Sequence, residues 1–437
     1  MPARCTRRAF VAGAAGLGAA AAAGAWPRRL PAAPAGPPRC IVLGPAGVLY
    51  PSDAAAQSQR YAANRRWILA GPADPWVRLW LPYDQLAPGG PAAAAPPGTG
   101  VNAAAAPVLA ALDADVAAAK ADGRRVILTV YSFPGWSNGT AHLRPGSEEE
   151  IAFAAPDRMA REDYEAWAAS GPSGLRTPAL AAARAGLAFR MPADGFGPES
   201  DWAGFIRWAY GRYRPGSGSG PNADALEICN EPNGQLWPQQ SPPASADPRD
   251  DAAWAPTALT APDAAAEMLA TATAIGAAFG HGLLLLGPAT ADASASTRRY
   301  TAFDRFNAAV LEALGARGYA AHPRVVWTHH DYNDAEDPQP DLRTAAAAAQ
   351  LEGRWRGARR RGRPAIWLTE GGVRLAAAGG VLGQAHALAA IRERRAAVPA
   401  IGLASQYLYA TAPSYDCGLV GTDGAVRPGF ADWKAAA

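Results

Sequence analysis

The residues Ala225-Leu226-Glu227-Ile228-Cys229-Asn230-Glu231-Pro232-Asn233 form a short, mostly apolar run that stops at a glutamate and a proline. Such a run is typical of a buried strand, and the proline should end it because proline cannot extend the hydrogen-bond ladder. A second apolar run, Ile366-Trp367-Leu368-Thr369, stops at Glu370-Gly371-Gly372. The pattern predicts two carboxylates, Glu231 and Glu370, each at the end of a strand.

Six further apolar runs alternate with amphipathic segments, an order typical of parallel strands connected by helices. The 437 residues, 49% of them hydrophobic, can fill the core of one large barrel. Eight strands in this order predict an α/β chain folded as a (β/α)8 TIM barrel. The predicted strands are Cys40–Gly44, Trp76–Leu81, Arg125–Tyr131, Ala225–Asn230, Leu283–Gly287, Val325–His329, Ala365–Thr369 and Ala400–Tyr407.

Helical periodicity appears between the predicted strands. Apolar residues recur every three or four positions in three segments, so each segment should pack one face on the sheet. The residues are Trp202, Phe205, Ile206, Ala209, Tyr210 and Tyr213; then Met268, Ala272, Ile275 and Phe279; then Phe303, Phe306, Val310 and Leu314.

Two connections are much longer than a usual βα loop. They run from residue 132 to 199 and from residue 232 to 262, and both follow a predicted strand. Loops that follow strands form the C-terminal face of a barrel, where active sites lie. We therefore expect long βα-loop insertions on the C-terminal face, where they would build the walls of a substrate cleft.

The N-terminus carries Arg7-Arg8, then a weakly apolar Ala/Gly stretch, then small residues ahead of Trp26. This order is typical of a twin-arginine export signal; an Ala-rich buried helix that follows two arginines is the alternative. We interpret residues 1–35 as the signal and a Pro/Ala-rich linker, and residues 36–437 as the catalytic domain. The expected partner is the twin-arginine translocase, and the expected location is secreted or associated with the cell envelope.

Charge and cysteine content narrow the classes of function. The 41 basic and 38 acidic residues give a net charge of +3, which offers no support for a nucleic-acid partner. The run Arg359-Arg360-Arg361 with Arg363 is interpreted as the solvated end of a helix, with phosphate binding as the alternative. The cysteines of the mature chain, Cys40, Cys229 and Cys417, match no zinc motif; they are three buried thiols, or one disulfide and one free thiol. With no dinucleotide, haem or iron–sulfur motif, no cofactor is predicted.

Two carboxylates at one rim of a barrel can approach each other across its opening. At a separation of about 5 Å, such a pair suits double displacement at a sugar anomeric carbon. One carboxyl group must be ionised to attack, and the other must be protonated to assist the leaving oxygen. The negative charge of the first opposes ionisation of the second, and esterification of the first removes that repulsion, so the second can then act as the base.

The two strand ends together resemble the retaining glycosidases on (β/α)8 barrels known as clan A. The resemblance spans nearly the whole mature chain in strand order. Asn230-Glu231-Pro232-Asn233 is similar to the xylosidase and iduronidase type, family 39, and the cellulase type, family 5, is close behind. The resemblance implies a retaining β-glycoside hydrolase that acts on O-glycosyl bonds of a poly- or oligosaccharide, with Glu231 as acid/base and Glu370 as nucleophile.

Arg78 is a charged residue within the apolar run Trp76-Val77-Arg78-Leu79-Trp80. A buried arginine needs a partner, and Glu370 is the predicted one; a structural salt bridge elsewhere is the alternative. Asn230 is placed to hydrogen-bond the sugar 2-hydroxyl, and it also suits a turn before proline.

The sixth predicted strand ends in Thr328-His329-His330-Asp331-Tyr332-Asn333-Asp334. Its His330 and Tyr332 resemble the sugar-binding and nucleophile-orienting pair of clan A. A metal site is the alternative; adjacent histidines on a strand point to opposite faces, so no metal is assigned.

The remaining predicted substrate contacts lie in loops of the C-terminal face, where aromatic rings can stack on sugars. Ordinary packing is the alternative for each, since the chain has 14 tryptophans. The full set of predicted substrate-binding residues is Arg78, Trp136, Asn138, Asn230, Asn233, Trp237, His329, His330, Tyr332 and Tyr407. A catalytically silent barrel that binds a glycan is the competing function; it would not need both glutamates.

Overall fold

The computed structural model describes residues 37–43, 60–69, 75–87, 105–139, 141, 191–192, 194–234, 261–296, 300–319, 324–337, 341–407, 416–421 and 423–435. Eight strands in these ranges form a closed barrel, in which each strand is parallel to both neighbours. The barrel strands are β1 (Arg39–Val42), β2 (Trp76–Pro82), β3 (Arg125–Tyr131), β4 (Ala225–Glu227), β5 (Leu284–Ala291), β6 (Val325–His330), β9 (Ile366–Glu370) and β10 (Ile401–Tyr407). The predicted (β/α)8 fold is confirmed.

The strand ends differ from the prediction where the backbone leaves the extended conformation. β4 stops at Glu227 instead of Asn230, and Glu231 lies beyond it with φ 44°. β5 continues to Ala291, and β6 includes His330. These shifts move strand ends by one to four residues and leave every predicted strand in place.

Helices lie between consecutive barrel strands. In the described ranges they are α1 (Tyr61–Leu69), α2 (Tyr83–Leu86), α3 (Ala106–Ala121), α4 (Gly135–Asn138), α5 (Asp201–Tyr213), α6 (Ala261–Ala278), α7 (Phe303–Ala316), α8 (Tyr332–Glu336), α9 (Arg343–Leu351), α10 (Leu375–Ala378), α11 (Val381–Ala396) and α12 (Pro428–Ala435). The three predicted amphipathic helices are α5, α6 and α7. Of their predicted core residues, only Phe279 lies outside a helix, one position after α6.

Helix α5 shows how sequence sets the packing of this outer layer. Ser200 caps it, because its hydroxyl accepts a hydrogen bond from the backbone N–H of Ala203 at 3.1 Å and so satisfies one of the free N–H groups of the first turn. The six residues predicted to share a face are all buried. That face packs the helix into the core.

The inside of the barrel has its own small apolar core. Eight residues form a cluster separate from the main hydrophobic core. Seven of them lie on barrel strands, and Ala365 lies directly before β9. Such layers of side chains fill the interior of a barrel, so that it is a packed core and no open channel. Polar side chains then occupy the interior nearer the C-terminal strand ends. The eight apolar residues are Cys40, Trp76, Ile127, Ala225, Leu286, Val326, Ala365 and Leu403.

The arginine-rich segment was predicted to be the solvated end of a helix, and this prediction is wrong. The segment forms a two-stranded antiparallel hairpin. Its strands are β7 (Arg359–Arg360) and β8 (Arg363–Pro364). The two residues between them, Arg361 and Gly362, have φ of 49° and 80°, which is the backbone geometry of a tight two-residue hairpin turn. Helix α9 has already ended at Leu351.

Cys40, Cys229 and Cys417 are buried, and no disulfide joins any two of them. The proposed signal at residues 1–35 and much of both long insertions lie outside the described residues, so these predictions stay predictions. Within the described ranges, no helix combines the length and the apolar character needed to cross a membrane.

Candidate active site

The candidate site begins with three charged side chains inside the barrel. Arg78 on β2 and Glu227 at the end of β4 are fully buried, and Glu370 at the end of β9 is 5% exposed. Arg78 donates from Nη1 to Glu370 Oε1 at 2.5 Å, from Nε to Glu227 Oε2 at 2.7 Å and from Nη2 to Asn230 Oδ1 at 2.8 Å. The predicted pairing of Arg78 with Glu370 is present. One guanidinium therefore joins two carboxylates and an amide.

Glu231 lies at the opening of the barrel, where its side chain is 30% exposed. Its φ of 44° is uncommon for a residue with a side chain, and such strain persists only where neighbours impose it. The Glu231 N–H donates to the carbonyl of Ala289 at 3.1 Å, and the N–H of Ala289 donates to Thr328 Oγ1 at 2.8 Å. Strands β5 and β6 thus hold Glu231 in place.

Glu370 and Glu231 meet at His330. Nδ1 of His330 lies 2.9 Å from Glu231 Oε1 and 3.7 Å from Glu370 Oε2. One carboxylate oxygen of each glutamate and this nitrogen all lie within 4.8 Å of one another. Retaining glycosidases place their carboxyl groups about 5–5.5 Å apart and inverting ones about 6.5–9.5 Å apart. The spacing fits the retaining class.

Tyr332 and Tyr407 complete the wall beside Glu370. The Tyr332 hydroxyl donates to Glu370 Oε2 at 2.9 Å. The two tyrosine rings meet edge to face with centroids 5.9 Å apart, a favoured aromatic geometry. Burial raises the pKa of Tyr407 well above its ordinary value, and the carboxylate of Glu370 adds to the shift. This hydroxyl therefore stays protonated.

Charge pairing outweighs burial at two groups of the site. Burial alone would raise the pKa of Glu227, but Arg78, His330 and two threonine hydroxyls lower it below its usual range. Burial alone would lower the pKa of His330, but Glu370 and Glu231 raise it above its ordinary value. The site thus favours an ionised Glu227 and a readily protonated imidazole.

Two glycines allow the chain to turn directly after Glu370. A Cβ on Gly371 would lie 2.1 Å from Asp331 Oδ1, and one on Gly372 would lie 2.6 Å from the carbonyl of Tyr407. The Asp331 carboxylate is itself held by Arg395, with both hydrogen bonds at 2.7 Å. The Gly371-Gly372 sequence therefore lets β6, β9 and α11 approach one another at the site.

Asn233 was predicted to bind substrate, and the structure corrects this. Its side chain is fully buried, and the amide donates to the carbonyls of Ala291 and Thr301 and accepts from the N–H of Ala291. These bonds tie the turn after β4 to the end of β5. Asn233 supports the loop that carries Glu231.

His329 was also predicted at the sugar-contacting rim, and it lies elsewhere. Because adjacent strand residues alternate between faces, His330 faces the barrel interior while His329 faces outward and packs edge to face on Phe303 of α7. Its ring is fully buried in that layer. It cannot contact a sugar in the barrel opening.

Trp136 and Asn138 lie on α4, and neither contacts the glutamates. The Trp136 indole donates to the carbonyl of Ala87 at 2.5 Å, and its ring packs on Tyr83. Asn138 is buried, with its amide 3.5 Å from the carbonyl of Phe133. Both stabilise the loop after β3. Trp237 lies outside the described residues.

Glu227 is the site residue that was missed. Three hydrogen bonds reach its carboxylate, from Arg78, Thr129 and Thr369. The signal was present in the sequence: Glu227 interrupts an apolar run at an even spacing from Ala225, so both face the barrel interior. A charge at such a position requires a partner.

The donor atoms of Glu231, His330 and Glu370 are close enough to surround a cation. However, Arg78 already places a positive charge 2.5 Å from Glu370, which opposes a divalent ion at the same carboxylate. The hydrogen-bonded arrangement fits proton transfer better, and we assign no metal ligand.

Comparison with known sequences returned no matching family model and no matching curated protein. Comparison with solved structures returned glycoside hydrolase barrels. A GH5_18 protein from Streptomyces cattleya, solved in complex with GlcNAc, is 16% identical with a TM-score of 0.50, over 92% of this chain and 80% of that one.

Two other similar structures score lower. A GH5-4 broad-specificity endoglucanase from Clostridium acetobutylicum is 12% identical with a TM-score of 0.44, over 91% of this chain and 96% of its own. A family 1 β-glucosidase from Thermotoga maritima is 11% identical with a TM-score of 0.43, over 87% and 86%. The similarity to the Streptomyces protein and the closed barrel together show that this chain has a (β/α)8 fold.

Proposed function

We propose that the protein is a retaining β-glycoside hydrolase that cleaves O-glycosyl bonds of an oligo- or polysaccharide. The observation that carries the proposal is the pair Glu231 and Glu370, with carboxylate oxygens within 4.8 Å of each other at one rim of the barrel. That proximity suits double displacement.

In the first step, Glu370 attacks the anomeric carbon and forms a glycosyl ester, while the bond to the leaving oxygen breaks. Glu231 gives its proton to that oxygen, so the aglycone leaves as an alcohol. Glu231 is the more exposed of the two carboxyls, as a group that must meet both the leaving oxygen and water should be.

In the second step, Glu231 is ionised and removes a proton from a water molecule. The resulting hydroxide equivalent attacks the anomeric carbon and releases Glu370 as a carboxylate. The product keeps the β configuration because two inversions cancel. Esterification of Glu370 removes its negative charge, so Glu370 no longer repels an ionised Glu231 in the second step.

The neighbouring residues prepare Glu370 for attack. Arg78 and Tyr332 each donate to one of its oxygens, which keeps the carboxylate ionised and fixes its orientation. His330 Nδ1 lies 2.9 Å from Glu231 Oε1 and 3.7 Å from Glu370 Oε2, so this side chain can orient both carboxyl groups. Asn230, oriented by Arg78, is our candidate for the 2-hydroxyl contact, and Tyr407 is our candidate for the sugar wall.

The anomeric outcome tests the proposal. A panel of aryl β-glycosides is incubated with the protein, and proton NMR follows the first-formed sugar. We expect the β anomer first, and we expect Glu370→Gln and Glu231→Gln to reduce turnover at least about 10³-fold. Glu267→Gln, a matched change on α6, should retain activity. The α anomer as first product, or undiminished turnover in Glu370→Gln, would rule out the mechanism; glycan binding without turnover would favour the silent barrel.

Export through the twin-arginine route is part of the same proposal. Residues 1–35 fused to a folded reporter should direct it out of the cytoplasm, and replacing Arg7 and Arg8 by lysine should block this. Export that does not depend on the arginine pair would contradict the assignment.

A further inference from the structure

Glu227 is a third carboxylate in the barrel, and the mechanism above does not use it. It is fully buried and lies four residues before Glu231 on the chain. Its carboxylate accepts from Arg78 Nε at 2.7 Å, from Thr129 Oγ1 at 2.8 Å and from Thr369 Oγ1 at 2.7 Å. Three different strands therefore fix its position.

A buried carboxylate is costly unless it is paired and hydrogen-bonded. A pair made only for stability would need Arg78 and Glu227 alone. Here the same guanidinium also contacts Glu370 and Asn230. A change in the position or charge of Glu227 therefore also affects Glu370, because the rigid planar guanidinium of Arg78 contacts both.

We propose that Glu227 is a positioning residue that holds Arg78 in place, shares its positive charge, and thereby sets the pH at which Glu370 becomes an effective nucleophile. The inference rests on the proposed function, since it concerns the same site. It assigns Glu227 no contact with substrate.

The physical reason is the sharing of one positive charge between two carboxylates. With Glu227 ionised, its negative charge offsets part of the stabilisation that the positive charge of Arg78 gives to an ionised Glu370. Without Glu227, Arg78 would stabilise Glu370 fully. Glu370 would then ionise at lower pH, but it would be a weaker nucleophile.

Other ionisable groups also face the pair, and all of them stay unchanged in the test. The groups around Glu227 lie on β2, on β6 and in the chain after β4. The groups around Glu370 lie on β2, β3, β6, α8 and β10 and in the turn that carries Glu231. They are Arg78, His330 and Cys229 for Glu227, and Arg78, Tyr131, Glu231, His330, Tyr332 and Tyr407 for Glu370.

Glu227→Gln removes the charge with little change in shape. The amide oxygen can take the place of Oε2, which accepts from Arg78 and Thr129. The amide N–H₂ can donate to Thr369, because a hydroxyl can either donate or accept. The variant therefore separates charge from packing.

The test measures covalent trapping of Glu370 as a function of pH. The probes are 2,4-dinitrophenyl 2-deoxy-2-fluoro-β-glycosides of glucose, mannose, xylose and galactose, and intact-protein mass gives the rate. We expect the acidic midpoint of the trapping rate to fall by about 1 pH unit in Glu227→Gln, with a plateau rate about threefold lower, because nucleophilicity falls less steeply than basicity. A midpoint equal to that of the unmodified protein, with only a slower rate, would overturn the inference.

Controls separate this inference from the proposed function. Glu267→Gln should leave the midpoint unchanged. If Glu227→Gln does not fold, Glu227→Asp carries the test: it keeps the charge but withdraws it from Arg78, so its midpoint should fall by less than 1 unit, and an unchanged midpoint would overturn the inference. If no probe labels the unmodified protein, the proposed function fails; if labelling occurs with equal midpoints, only the role of Glu227 fails.

Discussion

The single guanidinium of Arg78 carries the electrostatics of the barrel interior. It is fully buried, and both of its carboxylate partners are almost completely buried. Burial opposes its charge, but Glu227 and Glu370 outweigh burial and raise the pKa of Arg78, so the guanidinium is charged at any working pH. Removing it would leave Glu227 and Glu370 inside the barrel without the positive charge that contacts both.

Arg78→Met should therefore lower the free energy of unfolding by about 3–5 kcal/mol at neutral pH, the usual cost of breaking one side of a buried ion pair. Urea denaturation measures the change. Arg363→Met is the control, because Arg363 and Glu352 form an exposed pair on the hairpin; it should change stability by less than about 1 kcal/mol. Equal effects of the two variants would show that the network does not stabilise the fold.

Tyr332→Phe removes the hydrogen bond that the Tyr332 hydroxyl donates to Glu370. Bonds to charged groups contribute about 1.5–3 kcal/mol, so kcat/KM on an aryl glycoside should fall about 10- to 100-fold with the fold intact. Tyr213→Phe, which removes a hydroxyl bonded to Asp113 on the outer helices, should keep full activity. A Tyr332→Phe enzyme as active as the parent would exclude a role in orienting Glu370.

Sequence reasoning located site residues that stand at strand ends, because periodicity and strand order place them. It placed Glu231 and Glu370 at the ends of predicted strands. It recognised Arg78 as the single charge within an apolar run. It missed Glu227, which has the same signal, since its strand was interpreted through its last residues. It misassigned Asn233, because no pattern shows that an amide is fully used by backbone groups of a strand 58 residues away.

At the scale of elements, the turn after β9 sets how closely three segments approach. Gly371→Ala would press a methyl group against the Asp331–Arg395 pair. We expect loss of stability and of activity together, because the pair must move and Glu370 precedes the turn. Gly315→Ala in α7, where nothing lies within 4 Å, should instead stabilise the protein by up to about 1 kcal/mol. Thermal unfolding of both variants checks the contrast; destabilisation of similar size would contradict it.

Most elements could be predicted because length and periodicity decide them. All eight barrel strands and the three amphipathic helices lie where expected. The hairpin β7–β8 was missed because its turn depends on Arg361 in a left-handed conformation, which arginine seldom adopts.

At the scale of the whole molecule, His329 links stability to pH. Burial lowers its pKa to about 3, with His330 adding to the shift and Asp334 opposing it, whereas an unfolded chain would have the ordinary value near 6.5. Between these two values the unfolded state binds more protons, so stability falls as the pH drops below about 6.5. The decrease from this residue approaches about 1.4 kcal/mol per pH unit.

His329→Leu should flatten this dependence relative to the parent protein when urea denaturation is compared at pH 6.5 and pH 4.5. His386→Gln, on the exposed side of α11, is the control and should keep the parent slope. A His329→Leu slope equal to the parent slope would mean that His329 is protonated in the folded state.

The proposed function requires that Glu370 forms a covalent bond to the sugar. The most direct measurement is peptide mapping by mass spectrometry after incubation with the fluoro-glycoside panel. We expect one glycosylated peptide with the sugar on Glu370, and none in Glu370→Gln. A sugar bound to Glu231 or to any other residue would contradict it.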